Sequence, residues 1–217
     1  MIYLYAFSDA GCVELEACRG ICDAPVRSVT RSRVTAVYSV HEDLDLTVNA
    51  AFLRQHDRVV TALMERCTVA PARFGTVFTD FAGLEGALLA QTPQLASALA
   101  RVRGTVELAV RASDCSEELT EDDRPTTRQP GISYLRARRD APLARLEAAL
   151  AGRAKSTKVR SRGNGSMVAA YLVAAEDTGA FRDALLAVRA ELPDLRVTLT
   201  GPWAPYSFVE DGGMVHA

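Results

Sequence analysis

The chain has 217 residues, of which 48% are hydrophobic and 24% charged, as in an ordinary globular protein. Its net charge of −2 argues against a dominant role in nucleic-acid binding, and no stretch reaches the ~20 apolar residues that span a bilayer. The N-terminus lacks the basic flank and cleavage site of a signal peptide, so we expect a cytoplasmic protein without a membrane partner.

The first third of the sequence predicts a sheet covered by a helix. Residues 2–7 alternate and are rich in β-branched and aromatic types, which indicates a first strand. Val34–Val40, with Val34, Ala36 and Tyr38 on one face, indicates another, with a short third strand near residues 26–29. From Thr47, a suitable N-cap, apolar residues recur every three or four positions, which predicts a helix. His56 on this helix could act as a general base, but we favour a polar side chain at the edge of the packed stripe.

Residues 68–78 predict an extended segment that Pro71 and Gly75 interrupt. Arg73 in this segment could hold an anion, although pairing with a carboxylate within the fold is favoured. Two separate helices are predicted next, at 81–90 and 93–102. The second would begin with Thr92 as N-cap and Pro93 at the first helical position.

The pattern changes at Gly104, which places a domain boundary near residue 102 and predicts domains 1–102 and 103–217. The second domain reads as strand, helix, two strands, helix, strand. Gly163-Asn164-Gly165 predicts a hairpin turn between the two central strands. This order is that of a ferredoxin-like βαββαβ domain, so the predicted fold class is α+β with two domains.

Two charged stretches stand out in the second domain. Residues 114–123 contain six acidic residues and no basic one, which predicts a solvated loop. Residues 136–162 contain nine arginines and lysines against two acidic residues. A solvated surface is the favoured interpretation of this basic flank, and an acidic partner is the alternative.

The sequence offers little for metal or cofactor binding. The five cysteines form an odd set, and without an export signal free thiols are expected. Cys12, Cys18 and Cys22 cluster, but their spacing fits no common zinc site and no histidine lies among them. We therefore predict neither a metal nor a cofactor.

Catalytic signatures are also missing from the sequence. It contains no Walker-type phosphate loop, no zinc-protease motif, no dinucleotide loop and no nucleophile elbow. A nucleophile system based on histidine would have to use His41 or His56, and nothing else in the sequence favours it.

The segment Gly201-Pro202-Trp203-Ala204-Pro205-Tyr206-Ser207-Phe208 is stiff and aromatic, and it directly follows the last predicted strand. Its prolines prevent it from continuing as a central strand or a helix. The rings either seal a core as a clasp or form a binding surface, and the clasp is favoured. Because the chain leaves the sheet here, we expect the tail to fold back toward the N-terminal domain, with partner binding as a secondary role.

Four motifs carry a resemblance to a known family: Tyr3-Leu4-Tyr5, His56 followed by Val59 and Val60, residues 71–76 and residues 201–208. With these motifs the chain resembles the gas vesicle protein GvpF/GvpL family over nearly its whole length. The last motif is the most specific; the family usually has proline where this chain has Ala204, and a larger apolar residue where it has Ala72. The motif residues, expected to be structural or to bind a partner, are Pro71, Arg73, Phe74, Gly75, Thr76, Gly201, Pro202, Trp203, Pro205, Tyr206 and Phe208.

The resemblance implies an accessory protein of gas vesicle assembly without enzymatic activity. Such a protein interacts with the small hydrophobic shell protein and with other vesicle accessory proteins, and F-type members are associated with the gas-facing side of the shell. Two alternatives stay open. One is a ferredoxin-like module that senses a ligand; the other is an enzyme that uses His56 or Arg73 in a cleft between the domains.

Overall fold

A computed structural model describes residues 1–11, 18–44, 50–114, 130–163 and 165–209, with the backbone alone for 130–139 and 161–163. The elements in chain order are β1 (Ile2–Asp9), β2 (Arg27–Arg31), β3 (Val34–Val40), α1 (Ala50–Met64), β4 (Val69–Pro71), β5 (Val77–Phe78), α2 (Phe81–Val102), β6 (Thr105–Asp114), α3 (Pro130–Ala151), β7 (Ser156–Gly163), β8 (Ser166–Ala174), α4 (Thr178–Glu191), β9 (Leu195–Trp203) and α5 (Tyr206–Val209).

The chain forms two compact units. One comprises Met1–Thr105 together with the chain from Trp203 onward, and the other comprises Val106–Pro202. The sequence predicts one domain over 103–217, whereas the segment from Trp203 belongs to the first unit. The reason is burial, since Ala204 belongs to the apolar core around α1 and Phe208 is only 2% exposed.

The first unit is built on an antiparallel sheet in the order β2-β3-β1-β4, with β5 also paired to β1. Leu4 lies opposite Tyr38, whose ring contacts Phe81 of α2. Tyr3 points to the other face of the pleat, toward α1. Two helices therefore cover the two faces of this sheet.

A bulge in β1 decides which side chains face α1. Leu4 pairs with Tyr38 and Ala6 pairs with Val37, so Tyr5 is an extra residue without a partner in β3. An extra residue shifts the alternation by one position. As a result Tyr3, Tyr5 and Ala6 all belong to the core beneath α1.

Residues 81–102 form one helix, so the prediction of two helices separated at Thr92 is wrong. The Thr92 hydroxyl donates to the Leu88 carbonyl at 2.7 Å, inside the helix, instead of capping a new one. Leu84 and Leu88 before Pro93, and Leu95 and Leu99 after it, are all buried on the same stripe. Continuous burial of this stripe outweighs the hydrogen bond that proline removes.

The second unit contains an antiparallel sheet in the order β7-β8-β6-β9. Numbered within the unit, this is 2-3-1-4, the strand order of a ferredoxin-like domain. The predicted α+β class and the ferredoxin-like order are confirmed. The hairpin is confirmed as well, since Gly163 pairs with Ser166 and Gly165 has φ +70°.

The core of the second unit lies between its sheet and the helices α3 and α4. Leu143, Leu146 and Leu150 of α3 pack with β6 and β8 residues and with Phe181 of α4. The sequence predicts one helical stripe that contains Ile132, Leu135, Leu143, Leu146 and Leu150, with Pro142 inside the helix. Pro142 does lie inside α3. Ile132 and Leu135 belong to the helix, but their side chains lie outside the described set.

Candidate functional site

Segments from four distant parts of the sequence meet around the imidazole of His56. Its Nδ1 lies 2.8 Å from the Tyr3 hydroxyl, and its Nε2 lies 3.2 Å from the Tyr206 hydroxyl. The rings of Tyr5 and Phe74 also contact it, with centroids at 5.6 and 6.0 Å. We call Tyr3, Tyr5, His56, Phe74 and Tyr206 the His56 cluster. It joins β1, α1, the turn after β4, and α5.

His56 is a neutral, buried hydrogen-bonding residue. It is 3% exposed, so the prediction of a place at the edge of the packed stripe is wrong. Burial lowers the pKa of His56 to about 4, although a hydrogen bond to the Ala72 backbone partly opposes this effect. At neutral pH the ring is therefore uncharged.

Both ring nitrogens of His56 take part in hydrogen bonds with tyrosine hydroxyls. The Tyr3 hydroxyl, which lies 2.8 Å from Nδ1, also accepts from the Gly75 backbone N–H at 3.2 Å. A neutral imidazole donates from one nitrogen and accepts at the other, and a tyrosine hydroxyl can take either role. Burial raises the pKa of Tyr3, so its hydroxyl keeps its proton.

Tyr5 extends the polar network to the loop before β2. Its hydroxyl accepts from the Ile21 N–H at 2.8 Å and contacts the Ser39 hydroxyl at 2.9 Å. Ser39 in turn lies 2.7 Å from Nε2 of His41. Glycine is required at position 20, beside the Tyr5 ring, because a Cβ at this position would lie 1.9 Å from the Tyr5 hydroxyl oxygen.

The turn from Arg73 to Thr76 brings Phe74 to the cluster. The Thr76 N–H donates to the Arg73 carbonyl at 3.2 Å, and the Thr76 hydroxyl donates to the same oxygen at 2.8 Å. Gly75, the third residue, has φ +87°, the value that this position takes in a type II turn. The flanking β4 and β5 both pair with β1, so the turn is anchored at each end.

The C-terminal motif is divided between buried and exposed side chains. Pro205 and Phe208 are buried and Tyr206 is half-buried, and α5 contacts β4 and α2. Trp203 is 43% exposed, although the clasp interpretation expected its ring to be covered. Pro202 is exposed as well. β9 includes Pro202 as the terminal strand of its sheet, and α5 begins at Tyr206, directly after Pro205, so the expectation that the prolines prevent a helix in this segment is wrong. The buried half of the motif therefore anchors the tail, and the Trp203 ring remains open to solvent over much of its surface.

The motif residues of the segment 71–76 are also divided between buried and exposed positions. Pro71 is buried at the end of β4, Phe74 and Thr76 are half-buried, and Arg73 and Gly75 are exposed.

The His56 cluster is a fixed set of hydroxyl and imidazole groups that satisfy one another's hydrogen bonds. Each aromatic contact in it adds about 0.5–1.5 kcal/mol. This arrangement holds four segments together.

A comparison with known protein families identifies the family of this chain. The profile of the family described as "Gas vesicle synthesis protein GvpL/GvpF" matches residues 1–132 and 132–210. The chain belongs to the GvpL/GvpF family. Similar relatives include gas vesicle protein F2 of Halobacterium salinarum, with 30% identity over 84% of this chain and 79% of the relative. Gas vesicle protein L of a Streptomyces species is 33% identical over 77% of this chain and 71% of the relative.

Solved structures of GvpF proteins share the fold. GvpF from Microcystis aeruginosa superimposes with a TM-score of 0.78 at 20% identity, covering 96% of this chain and 98% of that one. GvpF from Anabaena gives a TM-score of 0.79 at 18% identity with the same coverage. The two-sheet α+β architecture is therefore that of GvpF proteins.

The cysteines correct one expectation. Cys18 and Cys22 are free, and burial raises the pKa of the Cys18 thiol. Cys67 is disulfide-bonded, so the expectation of a free thiol is wrong there, and its partner lies outside the described residues. Counting cysteines could not show which of them are close in space.

Within the described ranges no three metal-ligating side chains come together. No helix in these ranges is long and apolar enough to cross a membrane.

Proposed function

We propose that this GvpL/GvpF protein is a non-catalytic accessory protein of gas vesicle assembly that binds the hydrophobic shell protein and other vesicle accessory proteins. Membership in a family of gas vesicle synthesis proteins supports the process. The exposed Trp203 ring, next to a firmly anchored tail, supports the binding role.

Trp203 has the properties of a binding anchor. The residue is large and 43% exposed. It lies between Pro202 and the buried Ala204, so its backbone is restrained. A restrained aromatic side chain loses little conformational freedom when a partner covers it, and tryptophan is enriched among residues that dominate binding energies. An apolar shell protein is a suitable partner for this ring.

His56 is poorly suited to catalysis. Both of its ring nitrogens contact tyrosine hydroxyls, and its pKa of about 4 lies well below the neutral range that favours a general base. These features support a structural role for the most conspicuous titratable group in the family motifs.

The test is capture of the shell protein by the full-length tagged chain after co-expression. We expect the wild type to capture it and Trp203→Ala to reduce capture at least about tenfold, as for a dominant interface residue. Leu186→Ala is the matched control, because Leu186 is a large apolar residue that is 60% exposed on α4. It should capture shell protein like the wild type.

Two results would contradict the proposal: a wild type that captures no shell protein, or normal vesicles in cells that lack the gene. Equal capture by Trp203→Ala and wild type would remove Trp203 as the contact.

The gas-facing location implied by the resemblance is part of the proposal. In intact vesicles from the same cells, an external protease should leave the chain uncut.

A further inference from the structure

We propose that the outer edge of β7 in the second unit is a docking site for an extended, acidic segment of a partner protein, which adds to the sheet as a fifth strand. The site comprises residues 153–160. It is separate from the C-terminal motif, so its failure would leave the proposed function untouched.

The outer edge of β7 is regular from Ser156 to Val159, and a bulge lies between Val159 and Ser161. In the sheet order β7-β8-β6-β9, β7 is terminal and pairs only with β8 among the described strands. A terminal strand presents backbone N–H and C=O groups that an added strand can satisfy. β7 spans eight residues, four of which, Ser156 to Val159, precede the bulge and form a regular edge for such pairing.

The charge on this edge selects the partner. Between Glu147 and Glu176 the sequence contains five basic residues and no acidic one. Lys155 and Arg160 are exposed, and Val159 between them is 40% exposed. The paired strand β8 contains no charged residue. Carboxylates on an added strand would therefore meet positive charge on either side of an apolar contact.

The same features disfavour other partners. A second copy of β7 would set basic side chains opposite basic side chains, which is repulsive. Single-stranded nucleic acid is bound through aromatic stacking as well as charge, and β7 contains no aromatic residue.

A cavity adjoins the start of β7. It has a volume of about 320 Å³, is open to solvent and is lined by Arg153, Lys155 and Asp177, so it leaves room for a partner side chain.

The test measures binding of three labelled peptides to the full-length chain by fluorescence anisotropy. The first alternates glutamate and valine over nine residues, the second has glutamine for glutamate, and the third is the acidic peptide with alternate backbone nitrogens methylated. We expect only the first to bind, because the second lacks the charge and the third lacks half of the backbone donors. High salt should weaken its binding.

Charge reversal locates the site. The double variant Lys155→Glu/Arg160→Glu should weaken binding of the acidic peptide at least about tenfold. Arg182→Glu/Arg196→Glu is the matched control, since it reverses two exposed charges elsewhere in the unit, one of them on β9, the other terminal strand. It should change the affinity less than about threefold.

Three results would overturn the proposal. Equal binding of the methylated peptide would show attraction by charge without strand addition. Tighter binding of a single-stranded oligonucleotide of equal charge would make the edge a nucleic-acid site. No binding of the acidic peptide would leave the basic residues with the protective role of preventing edge-to-edge association.

Discussion

His56 connects the chemistry of one residue to the stability of the first unit. The folded ring has a pKa of about 4, whereas an unfolded histidine has its ordinary value of 6.5. Between these values the unfolded chain binds a proton that the folded chain does not. The stabilising contribution is therefore complete above pH 6.5 and is lost as the pH falls toward 4.

We predict that acidification destabilises the wild type more than His56→Gln. From pH 7 to pH 5 the wild type should lose roughly 2 kcal/mol of unfolding free energy through this residue. The substitution removes the titration while keeping a side chain that forms hydrogen bonds. Urea unfolding at pH 7, 6 and 5 measures both proteins.

His41 and the carboxylates are present in both proteins, so their contributions cancel in the difference. Burial lowers the pKa of His41 too, and its contribution has the same sign as that of His56. The two stability curves should converge as the pH falls. Parallel curves would show that His56 is not held neutral.

At this scale the sequence indicated that His56 matters but not where it lies. The bulge at Tyr5 and the closeness of Tyr206, which is 150 residues from His56 in sequence, have no local signature in the sequence. Periodicity reports a face of a helix, and it cannot report which distant polar groups cover that face.

At the scale of elements, a substitution at Gly75 tests the turn from Arg73 to Thr76, and the same substitution at a helical glycine serves as its control. Gly75 has φ +87°, and a Cβ built on it would meet no atom within 4 Å. Gly75→Ala therefore introduces backbone strain without a clash, and we predict a loss of about 1–2 kcal/mol in unfolding free energy.

Gly86→Ala in α2 is the control. A Cβ there also meets no atom within 4 Å, but the position is helical and exposed. Alanine should raise the free energy of unfolding by roughly 0.5–1 kcal/mol. Urea denaturation of both variants measures the difference, and effects of the same sign would contradict this account of the turn.

The elements show where local signals suffice. Asparagine and glycine between two strands predicted the β7–β8 hairpin, because turn chemistry is local. Thr92-Pro93 gave an equally local signal for a helix start, and it failed. The buried stripe through Leu88 and Leu95 is a tertiary effect that overrides a capping preference.

At the scale of the molecule, the βαββαβ order of the second unit could be predicted from alternating periodicities. The return of the tail to the first unit was expected, but the split within the motif was not. Stiff aromatic residues in sequence do not reveal that Phe208 is buried while Trp203 is exposed. That division depends on which surface the tail meets.

The central claim is that the buried half of the C-terminal motif anchors the tail in the first unit and leaves Trp203 for a partner. Amide hydrogen exchange of β1 reports the stability of this unit in the full chain. Phe208→Ala should lower the free energy of opening by about 3–5 kcal/mol, as for a buried aromatic residue, and Trp203→Ala by less than about 1.5 kcal/mol. Equal losses, or a larger loss for Trp203→Ala, would contradict the claim.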